Sequence, residues 1–173
     1  MSTLIRNGRV EPNGYVETEA GIAISGDTGI VVPLERWLQE RAALADGQRP
    51  VGVRLPNTVS IDDVWPQIAD RPLIELDFPS FGDGRAYSQA RVLRERFRYT
   101  GEIRATGQAV VRDQLQSMRR VGIDSFVLRT DQDPDICLQA LNDFDLAYQQ
   151  SSDELPVVRR LRLHKQPAGQ STQ

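Results

Sequence analysis

The chain is poor in the side chains that carry most redox and metal chemistry. Its 173 residues include one cysteine, Cys137, and one histidine, His164. A single cysteine excludes an intramolecular disulfide, a CxxC redox pair and an iron–sulfur cluster held by this chain alone. Zinc sites of the usual His/Cys type are excluded as well, and a Ser-His-Asp triad would have to recruit His164 from a poor setting near the tail. No stretch approaches the roughly 20 apolar residues of a membrane span, so no membrane partner is expected. The opening "MSTLIRNGRV" lacks the apolar run of a signal peptide, which predicts a cytoplasmic protein. With a net charge of −3 there is no general basic excess to neutralise phosphates, so nucleic acid is not the expected partner.

What is present suits one domain. An apolar fraction of 39% and a charged fraction of 26% are ordinary for a globular protein, and the length allows one sizeable core. Residues 1–28 read as an extension: "LIRNGRVE" sets Asn7-Gly8 between two short apolar segments, a strong hairpin signal, and Asn13-Gly14 offers a second turn. Residues 29–165 form the domain, and 166–173 read as a disordered tail.

From Gly29 a pattern recurs. "GIVVP" precedes "LERWLQERAALA", and "VGVRL" precedes "SIDDVWPQIA", where Ser60 suits an N-cap and Ile61, Val64, Trp65 and Ile68 share a face. Pro66 predicts that this helix is short or kinked. "LIELDF" precedes a helix with Ala86, Ala90, Leu93 and Phe97 in a stripe. "GEIRATG" precedes one with Val111, Leu115 and Met118. "DSFVLR" precedes "DPDICLQALNDFDLAY", with Asp133 as cap, Pro134 in the first turn, and Cys137, Leu141, Phe144 and Tyr148 on one face. Alternation of strand and helix predicts an α/β fold. The expected core is a mostly parallel sheet of four to five βα units, half-barrel or flavodoxin-like, with the N-terminal β-hairpin added.

Ligands of parallel α/β folds gather at the carboxyl ends of the strands. This sequence places Arg54, Asp77, Arg104 and Arg129 there, and Arg85 behind Gly82, Asp83 and Gly84 at a helix start. A guanidinium fork suits carboxylate, phosphate or sulfur oxyanions, and a Gly-rich turn adds free N–H groups. Arg54, Gly82, Asp83, Gly84, Arg85, Arg104 and Arg129 are therefore the candidate anion-binding residues. The same residues also fit ordinary rim chemistry, with Asp83 capping through the amide of Ala86 and with Arg85 and Arg104 paired to Asp77, Glu75 or Glu102. Asp77 is the one strand-end carboxylate to nominate for proton transfer. Among arginines it should ionise easily.

"GDGRAY" departs from the dinucleotide fingerprint because Tyr87 fills the third glycine position, and no cofactor is recognisable from motifs. Cys137, on an apolar stripe, reads as a buried structural thiol. Asp131, Asp133 and Asp135 alternate as in a calcium loop, yet Pro134 and the missing Gly and Glu break the pattern. "VVRRLRLHK" (157–165) reads as a charged edge strand or as a tail for an acidic partner.

Several blocks together carry a resemblance: "VPLERWL" (32–38), "LIELDFPSFGDGRAYSQARVLRERF" (73–97), "GEIRATG" (101–107), "VVRDQLQSMRRVGIDSF" (110–126) and "FDLAYQQSSDELPVVRR" (144–160). They resemble the bacterial domain-of-unknown-function family nine hundred thirty-four, which is usually encoded beside assimilatory sulfite reductase and often carries an oxidoreductase label. The resemblance implies a place in sulfite reduction, within sulfate assimilation and cysteine biosynthesis. It implies no catalytic residues. Two roles follow as expectations: an accessory protein that binds an oxyanion or docks on sulfite reductase or its electron donor, and a small flavin- or NAD(P)H-dependent oxidoreductase. Since a redox protein needs a cofactor to carry the electrons, the side-chain inventory favours the first.

Overall fold

The computed structural model describes residues 3–18, 28–47 and 49–142. The stretches 166–173 and 157–165 and the stripe residues Phe144 and Tyr148 lie outside the described residues.

Among the described residues, eight strands form one sheet. They are β1 (Leu4–Arg6), β2 (Arg9–Glu11), β3 (Tyr15–Glu17), β4 (Gly29–Pro33), β5 (Val51–Leu55), β6 (Leu73–Asp77), β7 (Glu102–Thr106) and β8 (Ser125–Val127). Their order is β2-β1-β8-β7-β6-β5-β4-β3. Strands β3 to β8 run parallel, and β1 lies antiparallel to both β8 and β2. The helices are α1 (Leu34–Ala45), α2 (Ile61–Ile68), α3 (Arg85–Arg91), α4 (Arg112–Arg120) and α5 (Pro134–Asn142), with a π-helical turn at Val92–Arg96. Thus β4 to β8 are each followed by a helix, giving five βα units in sequential order. A flavodoxin-like sheet would reverse direction at a switch point; this one does not, and the half-barrel alternative holds.

The sheet must also curl. Strands β2 and β3 occupy opposite edges, yet only residues 12–14 join them. Four Cα steps reach at most about 14 Å, whereas seven flat strand spacings would need about 34 Å. The N-terminal segment is therefore part of the wall. Its Asn7-Gly8 turn has φ of 53° and 70°, the left-handed pair that a two-residue hairpin of type I′ demands.

Curling sorts the side chains by parity. Val32, Val53, Leu55, Ile74, Leu76, Ile103, Ala105 and Phe126 face outward into one core with Trp37, Val64, Ile68, Ala86, Ala90, Leu93, Leu115, Met118, Cys137 and Leu141 of the helices. Most of the expected stripe residues thus bury as the periodicity implies, while Trp65, Phe97 and Val111 are half-buried, and Cys137 is a buried thiol whose pKa burial raises. The opposite parity points inward and is largely polar.

Candidate functional site

Across the inner face, strand register aligns Arg54 with Glu75, Glu75 with Arg104, Arg104 with Ser125, and Ser125 with Arg6. Alternating charge in one cross-strand row is favourable because directly opposed side chains stand within reach of each other. Arg104 is 1% exposed. It donates to Glu102 Oε1 from Nη2 (2.8 Å) and Nε (3.1 Å), to Ser125 Oγ (3.3 Å) and to Asn13 Oδ1 (2.9 Å), and lies 5.3 Å from the centre of the Tyr15 ring. Those bonds offset the large cost of burying a charge. Arg6 joins through Glu102 at 3.1 Å and Glu11 at 2.6 Å.

Arg54 holds two acids. Its Nε donates to Glu75 Oε1 at 2.6 Å, and its Nη2 lies 2.5 Å from Glu17 Oε1. Burial of Glu75 raises its carboxyl pKa despite the pull of Arg54. Burial also raises Glu102, but bonds from Ser125, Arg104 and Arg6 outweigh it, and that pKa falls below the usual range.

Asp77 closes β6 on the same inner face, opposite Thr106. Its pKa is raised, because burial outweighs the charge of Arg54. This corrects the expectation of an easily ionised group: one arginine, occupied elsewhere, does not compensate for lost hydration. Gly107 makes room for the carboxylate. A Cβ there would stand 2.8 Å from Asp77 Oδ1 and 2.6 Å from the Phe78 carbonyl, and φ is +108°.

Beside these groups the mouth of the curled sheet opens into a cavity of about 370 Å³. Glu17, Thr106, Gly107, Gln108 and Val127 through Asp131 line it. Strand β3 thus meets β7 and β8 across the opening.

The remaining candidates sit apart from that row. Arg85 binds Asp83 through Nε and Nη2, the latter at 2.6 Å, and Asp83 also accepts from the Arg85 amide and from Asn57 Nδ2. The carboxylate takes the Arg85 amide and not that of Ala86, and its pKa falls well below the usual range. Gly82 and Gly84 have open space where a Cβ would project and no positive φ. Neither is forced to be glycine by its own surroundings. Arg129 binds Asp131 at 2.6 and 2.7 Å and holds that carboxylate down at about 2. The sequence-nominated arginines are therefore each paired: Arg54 and Arg104 meet in one row through Glu75, while Arg85 and Arg129 stand on their own loops. The expected pair of Arg104 with Glu102 is present. Where a dinucleotide loop would carry its third glycine, Tyr87 donates to Gln114 and packs edge-on against Phe78.

Residues 52–158 match a family model described as bacterial protein of unknown function (DUF934). The chain belongs to this family. No curated protein and no solved structure gives a significant match.

The DUF934 segment contains Arg54, Glu75, Asp77, Glu102, Arg104 and Arg129. The partners that sequence reasoning missed, Asn13, Tyr15 and Glu17, precede it. Their only local signal was the Asn13-Gly14 turn, whose Asn13 Oδ1 accepts the Tyr15 amide at 3.0 Å as well as Arg104. No residue-spacing rule links position 13 to position 104.

Proposed function

We propose that the protein serves assimilatory sulfite reduction, within sulfate assimilation and cysteine biosynthesis, as an accessory protein that docks on sulfite reductase or its electron donor. The pathway rests on the sequence resemblance. The docking mode rests on one observation: Phe81 is 67% exposed on the β6–α3 loop.

That loop is stiff around the ring. Phe78 is fully buried, its amide donates to Thr106 and its carbonyl accepts from Ala109, while Asn57 and Arg85 fix Asp83. An aromatic side chain presented on a braced loop loses little conformational entropy on binding, which is the usual character of an interface anchor. Asp83 and Arg85 supply a polar rim beside it. Docking is better supported than capture of an oxyanion at Arg85, Arg104 or Arg129, because each of those guanidiniums already holds a carboxylate within 2.8 Å.

The test is co-elution of the purified protein with sulfite reductase and, separately, with its electron donor. Complex formation with one of them is expected, and Phe81→Ala should weaken it by about thirtyfold, the value of an anchor near 2 kcal/mol. Absence of a complex with both proteins would refute the reading.

A further inference from the structure

Arg54 differs from the other paired arginines in how it is held. Arg85 and Arg129 bind an Asp two residues away on the same loop, and such a carboxylate stays in reach whatever else arrives. Arg104 is sealed. Arg54 keeps one buried partner, Glu75, and one that is 53% exposed, Glu17, at the end of a three-residue edge strand. Glu17 lines the mouth cavity, and Arg54 Nη2 behind it has no exposed surface. The contact is close but forms no aligned hydrogen bond, and Arg54 Nη1 has no hydrogen-bond partner among the described residues. An ion pair of this exposure contributes little. On the same inner face, the Asp77 carboxyl, within reach of the Arg54 charge, and the Thr106 hydroxyl opposite it make no side-chain hydrogen bond among the described residues.

We propose that Arg54 and Asp77 form a binding site for a small oxyanion that still carries a proton, and that Glu17 occupies the guanidinium as an internal stand-in which the ligand displaces. Where the ligand is a monoanion, it replaces one negative charge by another and the charge around Arg54 is unchanged. Two ligand oxygens accept from the guanidinium fork. The ligand's own O–H donates to Asp77, and Thr106 adds a hydroxyl. A fully deprotonated oxyanion brings no donor and faces the Asp77 carboxylate unmatched, so the site selects by protonation. The oxyanion is read by titration of the chain alone and the Phe81 contact by complex formation with a protein partner, so the two readings fail independently.

Inorganic phosphate, protonated at neutral pH, and sulfate, which is not, are the probes. Isothermal titration of the full chain should show phosphate binding at least about tenfold tighter than sulfate, as expected where a half-buried carboxylate would be left facing an unmatched anion. Glu17→Gln removes the stand-in and should tighten phosphate about fivefold, the worth of an exposed ion pair. Asp77→Asn should erase the preference over sulfate, and Arg85→Ala should leave both affinities unchanged. Phosphate failing to bind Glu17→Gln, equal affinity of Glu17→Gln and the unaltered chain, or loss of binding in Arg85→Ala would each overturn the proposal. Hydrogen sulfite, titrated in parallel, tells whether a sulfur oxyanion with a proton is taken as readily as the phosphorus one.

Discussion

A single buried carboxylate governs the electrostatics of the inner face. Glu75 is 1% exposed and depends on Arg54. Replacing Arg54 by Met leaves that buried charge without its hydrogen-bonded partner, which should cost about 3 kcal/mol at neutral pH. The pH dependence has a definite sign. Burial already raises the Glu75 pKa above its ordinary 4.5, and without Arg54 only the more distant charge of Arg104 opposes it. A carboxyl whose folded pKa is raised binds protons better folded than unfolded, so its cost to stability grows as pH rises through that window and shrinks as pH falls towards 4.5. Urea unfolding at pH 5 and pH 7.5 should therefore show a smaller loss at the lower pH, and Arg54→Met with Glu75→Met together should recover most of the stability. An equal loss at both pH values would contradict this account. Gly107 allows a second residue-level check: φ of +108° and the crowding by Phe78 and Asp77 predict a loss of about 1–3 kcal/mol for Gly107→Ala, read as a lowered Tm. The inner row itself was hard to read in the sequence, where Glu75 sits inside the apolar run "LIELD" and looks like an interruption. It has meaning only once β5 and β7 flank it, and that requires the strand order.

Elements were more legible than their neighbours, because caps and turns act over a few residues. Asp133 accepts from the amides of Asp135 and Ile136 at 2.9 and 3.2 Å, with Pro134 as first helical residue. That cap follows from sequence alone. Asp133→Ala should destabilise the protein by about 1 kcal/mol, seen as an earlier urea midpoint with unchanged slope; no change would mean that α5 is held by Cys137 and Leu141 alone. The Asn7-Gly8 hairpin was equally legible. Its destination was not: β1 pairs with β8, more than a hundred residues later, and β3 with β4. Ser60 illustrates the limit of the same reasoning, since it has the extended backbone of an N-cap but makes no side-chain cap bond.

At the scale of the whole molecule, a sequential βα chain needs something to cover the inner face of its sheet, since the described helices pack on the other. Here the N-terminal strands do so, and the charged row tells why a polar cover suffices. Asn13 and Tyr15 meet Arg104 from across the opening, and Glu17 pairs with Arg54 from two strands away. Closure thus pairs the buried Arg104 and the half-buried Arg54 and also buries the inward-facing Leu4, Val31 and Leu73. It also makes a distance prediction. Glu17 on β3 and Gln108 after β7 line one cavity, although four strand spacings separate β3 from β7, roughly 19 Å if the sheet were flat. Cysteines at 17 and 108 should be joined efficiently by a bifunctional thiol reagent about half that length, while Cys137, buried, stays unmodified in the folded protein. Mass spectrometry of the cross-linked peptide reads the outcome. Failure to link, with both cysteines reactive singly, would mean that the sheet is open and that Arg54 and Arg104 face water instead of the N-terminal strands.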